Sequence, residues 1–176
     1  EIIFQNLFPE GHPYSWHIIG SMEDLSNASL SDVHDFFRTF YVPNNCTLTI
    51  AGRFDADEVK ELVERYFGPI APGPPLQRPE QQEIALERDK RVRVFDRIPQ
   101  DRLYLVWPAV AFFERDDAPL DVLTTILSDG KNSRLYKRLV YDEQVASDVS
   151  AFNYSLEIAG LVGVVATARP GVSLSE

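Results

Sequence analysis

A second cysteine is missing from this 176-residue chain, so Cys46 has no intramolecular disulfide to make. It follows Asn45 and precedes Thr47-Leu48, the start of a β-rich run, where a free thiol acts as a small hydrophobe. One thiol does not fix the redox compartment. Long apolar runs are also missing: nothing approaches the roughly 20 residues that cross a bilayer. The glycines, among them Gly11, Gly20, Gly52 and Gly68, are scattered rather than clustered, which removes the phosphate-cradling loop. No G-x-S-x-G elbow accompanies the serines. Positive charge is short, with 17 Lys and Arg against 27 Asp and Glu and a net charge of −10. A phosphate backbone would be repelled, so nucleic acid is excluded as a partner.

The most telling absence concerns metal. A zincin needs two histidines one turn apart, a glutamate to activate water and a third ligand. Neither H-E-x-x-H nor H-x-x-E-H occurs among the three histidines, His12, His17 and His34. His12 and His17 are separated by Pro13 and turn residues, and His34 has no second His at i+4. No catalytic residue and no metal ligand is assigned. His12 reads as a turn residue with a local hydrogen bond, and His34 as the exposed side of a helix.

What is present is ordinary globular material, 44% hydrophobic and 25% charged. Ile2, Ile3, Phe4, Leu7 and Phe8 form an apolar helical run that opens at Glu1, the look of an excised piece. Ser29-Leu30-Ser31-Asp32 fits a capping box, followed by Leu30, Val33, Phe36, Phe37 and Phe40 at helical spacing. That helix must stop before Pro43. Thr47 to Ala51 alternates as a strand ending at Gly52, and Asp55 caps a helix running through Val59, Leu62, Val63, Tyr66 and Phe67 to Gly68. The aromatics Phe36, Phe37, Phe40, Tyr66 and Phe67 are expected in the core because of that spacing.

Five prolines and a glycine between Pro69 and Pro79 read as an extended linker. Beyond it, Arg91 to Phe95 and Arg102 to Trp107 alternate as strands, the second closed by Pro108. A helix is expected from about Ala118 to Leu127 with Pro119 in its first turn. Phe112 to Asp117 reads as a turn before that helix, with an acidic cap. A further helix should carry Leu135, Leu139 and Val140. Strands over Val145 to Tyr154 and Leu161 to Ala168 complete an α+β pattern.

The stretch Phe8-Pro9-Glu10-Gly11-His12-Pro13-Tyr14-Ser15-Trp16, then Ile19-Gly20-Ser21 and Tyr41-Val42-Pro43-Asn44-Asn45, resembles the pitrilysin/insulinase-type zinc metallopeptidases, whose motif is the inverted H-x-x-E-H. Mitochondrial processing peptidase and bacterial zinc proteases are of that type. In that family the zinc motif and the distal glutamate ligand lie upstream of the matching segment. The resemblance implies parts of two consecutive repeats of one sheet-on-helix domain. Residues 1–70 would be the end of the first repeat, 71–85 a Pro-rich linker, and 86–176 the beginning of the second.

Leu127-Ser128-Asp129-Gly130-Lys131-Asn132-Ser133-Arg134-Leu135-Tyr136 is similar to the family's glycine-rich loop and following helix, with Asp129 and Lys131 where small residues are usual. The resemblance implies that Gly130, Asn132, Ser133 and Arg134 form a substrate-proximal loop. The plainer alternative is a helix-start turn, with Ser133 as cap and Arg134 in a salt bridge.

Three functions follow. The chain is an inactive piece of a zinc-dependent endopeptidase, with zinc in the parent protein, none in the piece, and a peptide or protein as the parent's substrate. Alternatively it belongs to a non-catalytic structural or substrate-binding homologue, pairing with another peptidase half or subunit. A third reading is an unrelated α+β binding module. A periplasmic or secreted location rests on the resemblance alone.

Overall fold

The computed structural model describes residues 2–80 and 84–174. They are α+β, and they divide into two compact units: Glu1–Ile18 with Pro79–Glu176, and Ile19–Arg78.

The first unit is built on a three-stranded antiparallel sheet in the order β1-β3-β2, formed by β1 Arg102–Ala109, β2 Ala146–Ser155 and β3 Gly160–Ala168. β3 pairs on both edges, with Leu105 opposite Val164 on one side and Ala151 opposite Val164 on the other. Pro108 lies inside β1 rather than closing it. An edge strand tolerates this because only one of its two hydrogen-bonding sides is in the ladder.

Strand alternation sorts the apolar residues onto two faces. On one, Leu161, Phe152 and Val106 meet Leu7 and Phe8 from the N-terminal helix α1, Ile2–Leu7, and the residue after it. On the other, Val149, Val164 and Ala166 meet Leu135, Leu139 and Val140. Gly163 is needed mid-strand because a Cβ there would meet the Phe152 ring and the Leu105 carbonyl.

Helix α5, Asp117–Ser128, lies against β2. It is followed by a segment, Tyr136–Asp142, wound with π-helical hydrogen bonding. The last carbonyls of any helical segment lack partners within it. Arg169, just past β3, supplies donors there: Nη2 to the Val140 carbonyl at 3.0 Å, Nε to the Ala146 carbonyl at 3.2 Å and Nη1 to Gln144 Oε1 at 3.4 Å.

The second unit contains α2 Met22–Asn27, α3 Leu30–Phe40, a 3-10 turn at Pro43–Asn45 and α4 Ala56–Phe67. Helix α2 is too short to show an apolar period in the sequence, though Ser21 caps it and accepts from the Asp24 N–H. The Ser29 capping box forms as expected: Asp32 N–H donates to Ser29 Oγ and Ser29 N–H to Asp32 Oδ2. Asp55 Oδ1 likewise accepts from the Asp57 and Glu58 N–H groups. The Pro-rich stretch is clasped by Asn44, whose Oδ1 accepts the Gly73 N–H at 2.8 Å and whose Nδ2 donates to the Gly73 carbonyl at 3.2 Å. Asn45 Nδ2 donates to the Phe40 carbonyl, closing α3.

Three further sequence expectations fail. Thr47 to Ala51 and Arg91 to Phe95 are not strands, because no described segment pairs with their backbones. Alternation marks a segment fit for a sheet but does not supply the neighbour. Phe36, Phe37, Phe40, Tyr66 and Phe67 are exposed, and no described residue of the second unit is fully buried. Helical spacing identifies the face meant for burial and is silent on where the covering layer comes from.

The contrast is measurable by chemical denaturation. Leu161, 2% exposed, should lose about 2–4 kcal/mol on replacement by Ala. Phe37→Ala, at a position 51% exposed, should change stability by less than about 0.5 kcal/mol.

Candidate functional site

The loop singled out by sequence runs from Asp129, which ends α5, to Ser133. Gly130 has φ +76, a left-handed backbone that favours glycine. The turn is closed by main chain: Ser133 N–H donates to the Gly130 carbonyl at 3.2 Å, and Lys137 N–H to the Ser133 carbonyl at 2.9 Å. Ser133 is 7% exposed and its Oγ has no hydrogen-bond partner among the described residues, so it does not cap the helix as expected. The backbone turn has taken over that task. Arg134 and Asn132 are exposed, and Arg134 makes no ion pair among the described residues. Gly130 and Ser133 are thus brought together through the backbone, while Asn132 and Arg134 stand free at the surface.

The acidic cap expected before α5 takes another form. Asp116 occupies the cap position without a side-chain hydrogen bond. Asp117 instead accepts from the Phe113 N–H at 2.9 Å through Oδ2, which fixes Phe113 at φ +64. Its Oδ1 accepts from Ser155 Oγ at 2.6 Å and from Asn153 Nδ2 at 3.0 Å. Asn153 also donates to Asp121 Oδ1 at 3.0 Å. The Ser155 hydroxyl, then the Phe113 N–H, hold the Asp117 carboxyl below its ordinary range. This polar cluster joins α5 to β2 and has no signature in the sequence, because Asp117 and Ser155 are 38 residues apart.

The histidines do not fit a zinc site. His12 is 3% exposed, its ring stacked on Phe8 at 4.7 Å. Its Nδ1 accepts the Tyr14 N–H at 3.0 Å, so that lone pair is taken. This is the local turn hydrogen bond expected of it. Burial lowers its pKa, because the charged form loses water. His17 and His34 are exposed and lie in different compact units. Among the described residues no three His, Cys, Asp or Glu side chains converge to hold a metal ion. Among the same residues no helix is long and apolar enough to cross a membrane. A hollow of about 350 Å³ is lined by apolar Leu7, Ile84 and Leu86 and by Glu87, Arg88 and Lys90 among others.

Residues 27–176 match the family described as Peptidase M16 inactive domain. The chain belongs to that family. The zinc protease PqqE of Helicobacter pylori is 29% identical over 173 residues, covering 92% of this chain and 37% of the relative. The mitochondrial-processing peptidase subunit beta of Caenorhabditis elegans is 25% identical, over 97% of this chain and 39% of its own length. The crystal structure of a peptidase M16 inactive domain from Pseudomonas fluorescens superposes with a TM-score of 0.80 at 17% identity, covering 96% of this chain and 40% of that one. The chain therefore spans about two fifths of the relatives it matches. Its similarity to zinc proteases agrees with the pitrilysin-type resemblance, and its place in the family is the inactive domain.

Two measurements test this geometry. Gly130→Ala should cost about 1 kcal/mol because φ is positive, whereas Arg134→Ala should leave the melting temperature unchanged. The Asp117 cluster predicts acid sensitivity of definite sign. Its folded pKa is lowered, so its stabilisation is complete above the ordinary carboxylate range and is lost as pH falls through the folded value. Asp117→Asn should lower the melting temperature at pH 7 and shrink its drop between about pH 5 and about pH 2. An unchanged drop would assign the acid sensitivity elsewhere.

Proposed function

We propose that this chain is the non-catalytic part of a zinc-dependent metalloendopeptidase, acting as scaffold on a peptide or protein substrate rather than cleaving it. The observation that carries this reading is the match of residues 27–176 to the inactive domain, in a chain whose sequence contains no zincin motif. Zinc would then belong to another part of the parent protein, and no chemical step is assigned to this chain. The division into residues 1–70, 71–85 and 86–176 as the end of one repeat, a linker and the beginning of the next belongs to the same reading. It describes sequence repeats, which need not coincide with the compact units.

Pairing with another peptidase half or subunit is part of the proposal. Supporting it are the uncovered apolar stripe of α3, the alternating Thr47 to Ala51 without a ladder partner among the described residues, and coverage of about two fifths of the relatives. Gly130, Asn132, Ser133 and Arg134 would then lie in a substrate-proximal loop, with exposed Asn132 and Arg134 as the side chains available for contact. A second reading, a non-catalytic subunit of the same family, is supported by the similarity to a protein named as a subunit.

Co-expression with the coding region upstream decides between them. The chain alone, with zinc supplied, should hydrolyse no peptide. Chelator-sensitive hydrolysis on co-expression supports the endopeptidase reading. A stable complex without hydrolysis supports the subunit reading. Hydrolysis by the purified chain alone would overturn both.

A further inference from the structure

The buried imidazole of His12 has no part in the proposed function, and its surroundings are unusual for a titratable group. The ring is enclosed by aromatic faces, Phe8 at 4.7 Å and 17° and Tyr14 at 5.2 Å and 63°. Nδ1 accepts the Tyr14 N–H, which requires that nitrogen to be unprotonated. The neutral ring therefore carries its proton on Nε2, a buried atom with no hydrogen-bond partner among the described residues. A second proton has only Nδ1 to go to. There it would face the Tyr14 N–H, donor against donor, and place a charge in an apolar enclosure.

The strain would not stay local. The His12 carbonyl accepts both the N–H and the hydroxyl of Ser15, at 2.9 and 2.8 Å. Tyr14 packs edge-on against Phe8 at 5.5 Å, and its hydroxyl oxygen accepts the Ile158 N–H in the turn between β2 and β3 at 3.3 Å. Phe8 in turn packs with Leu161 and Ala159. The one ring thus organises the turn that ties residues 2–16 to the sheet.

We propose that His12 is an acid-sensitive latch: neutral, it holds α1 and the turn after it on the sheet, and protonated, it releases them. Charged groups on the neighbouring elements are Glu10 in the same turn, Glu157 beside Ile158, and Glu87, Arg88 and Lys90 on the segment lining the hollow with Leu7 and Pro9. Neither ring nitrogen of His12 is hydrogen-bonded to a carboxylate among the described residues. Lys90 is occupied with the Asn6 carbonyl at 2.6 Å. The sign follows from burial, which lowers the folded pKa below the ordinary histidine value. Attachment is complete above that ordinary value, near 6.5, and weakens as pH falls beneath it.

The test is a titration of the full chain by NMR, reading the three imidazoles and the exchange protection of two amides, Tyr14 and Ile158. His12 should show the Nε2–H tautomer and titrate below the ordinary histidine value near 6.5. Opening of the Tyr14 and Ile158 amides should rise by up to about tenfold per pH unit below about 6.5, after correction for intrinsic exchange. The β1–β3 ladder amides of Leu105 and Val164 should not follow. His12→Asn, whose carbonyl oxygen substitutes for Nδ1 without titrating, should abolish the pH dependence. If that variant does not fold, the wild-type exchange profile decides alone. His12 titrating at or above the ordinary value near 6.5, or Tyr14 and Ile158 protection indifferent to pH, would overturn the latch.

Discussion

The pairing of β3 with both its neighbours is the interaction on which the first unit depends. It fixes the register, and the register decides which side chains face α1 and which face α5 and the π-wound segment. A slip by one residue would exchange the two faces and place Val164 and Ala166 where Leu161 now packs. The close fit of Phe152 over Gly163 adds a local reason for the same alignment. Three strands with apolar layers on both faces are about the least that makes a sheet stable by itself. The second unit has no such centre.

That difference explains what could be read from sequence. Local chemistry was legible: Ser29 with Asp32, and Asp55 with the two amides after it, act within three residues and form as expected. Strands with partners were legible too, because alternation in β1, β2 and β3 meets alternation opposite. Thr47 to Ala51 has the same signature and no partner, and the pattern alone does not distinguish the cases. The α3 aromatics fail for the same reason in helical form. Long-range polar contacts such as Asp117 with Ser155 left no sequence signal, since each residue alone looks like a turn or surface residue.

The motifs that carried the family resemblance have visible structural work. His12 and Tyr14 organise a buried turn, Asn45 closes α3, and Asn44 clasps the Pro-rich stretch. Each is a short polar side chain satisfying backbone groups that no regular element satisfies. A resemblance built on such residues reports the shape of the chain, and the absence of the zinc ligands from it is compatible with the inactive-domain match. The loop at Gly130 is similar in kind: its backbone geometry is explained by the turn, while Asn132 and Arg134 are left free for a surface role.

The reach of Arg169 has one more consequence. Its donors sit one residue past β3, and its acceptors, Val140, Gln144 and Ala146, lie at or before the start of β2. A ladder shifted by two residues would preserve which side chains face inward, so hydrophobic patterning barely distinguishes it from the correct one. The guanidinium would move by nearly 7 Å along the strand, well outside hydrogen-bond range. The clamp therefore acts as a proofreading contact alongside the Phe152–Gly163 fit, penalising slips that preserve which side chains face inward.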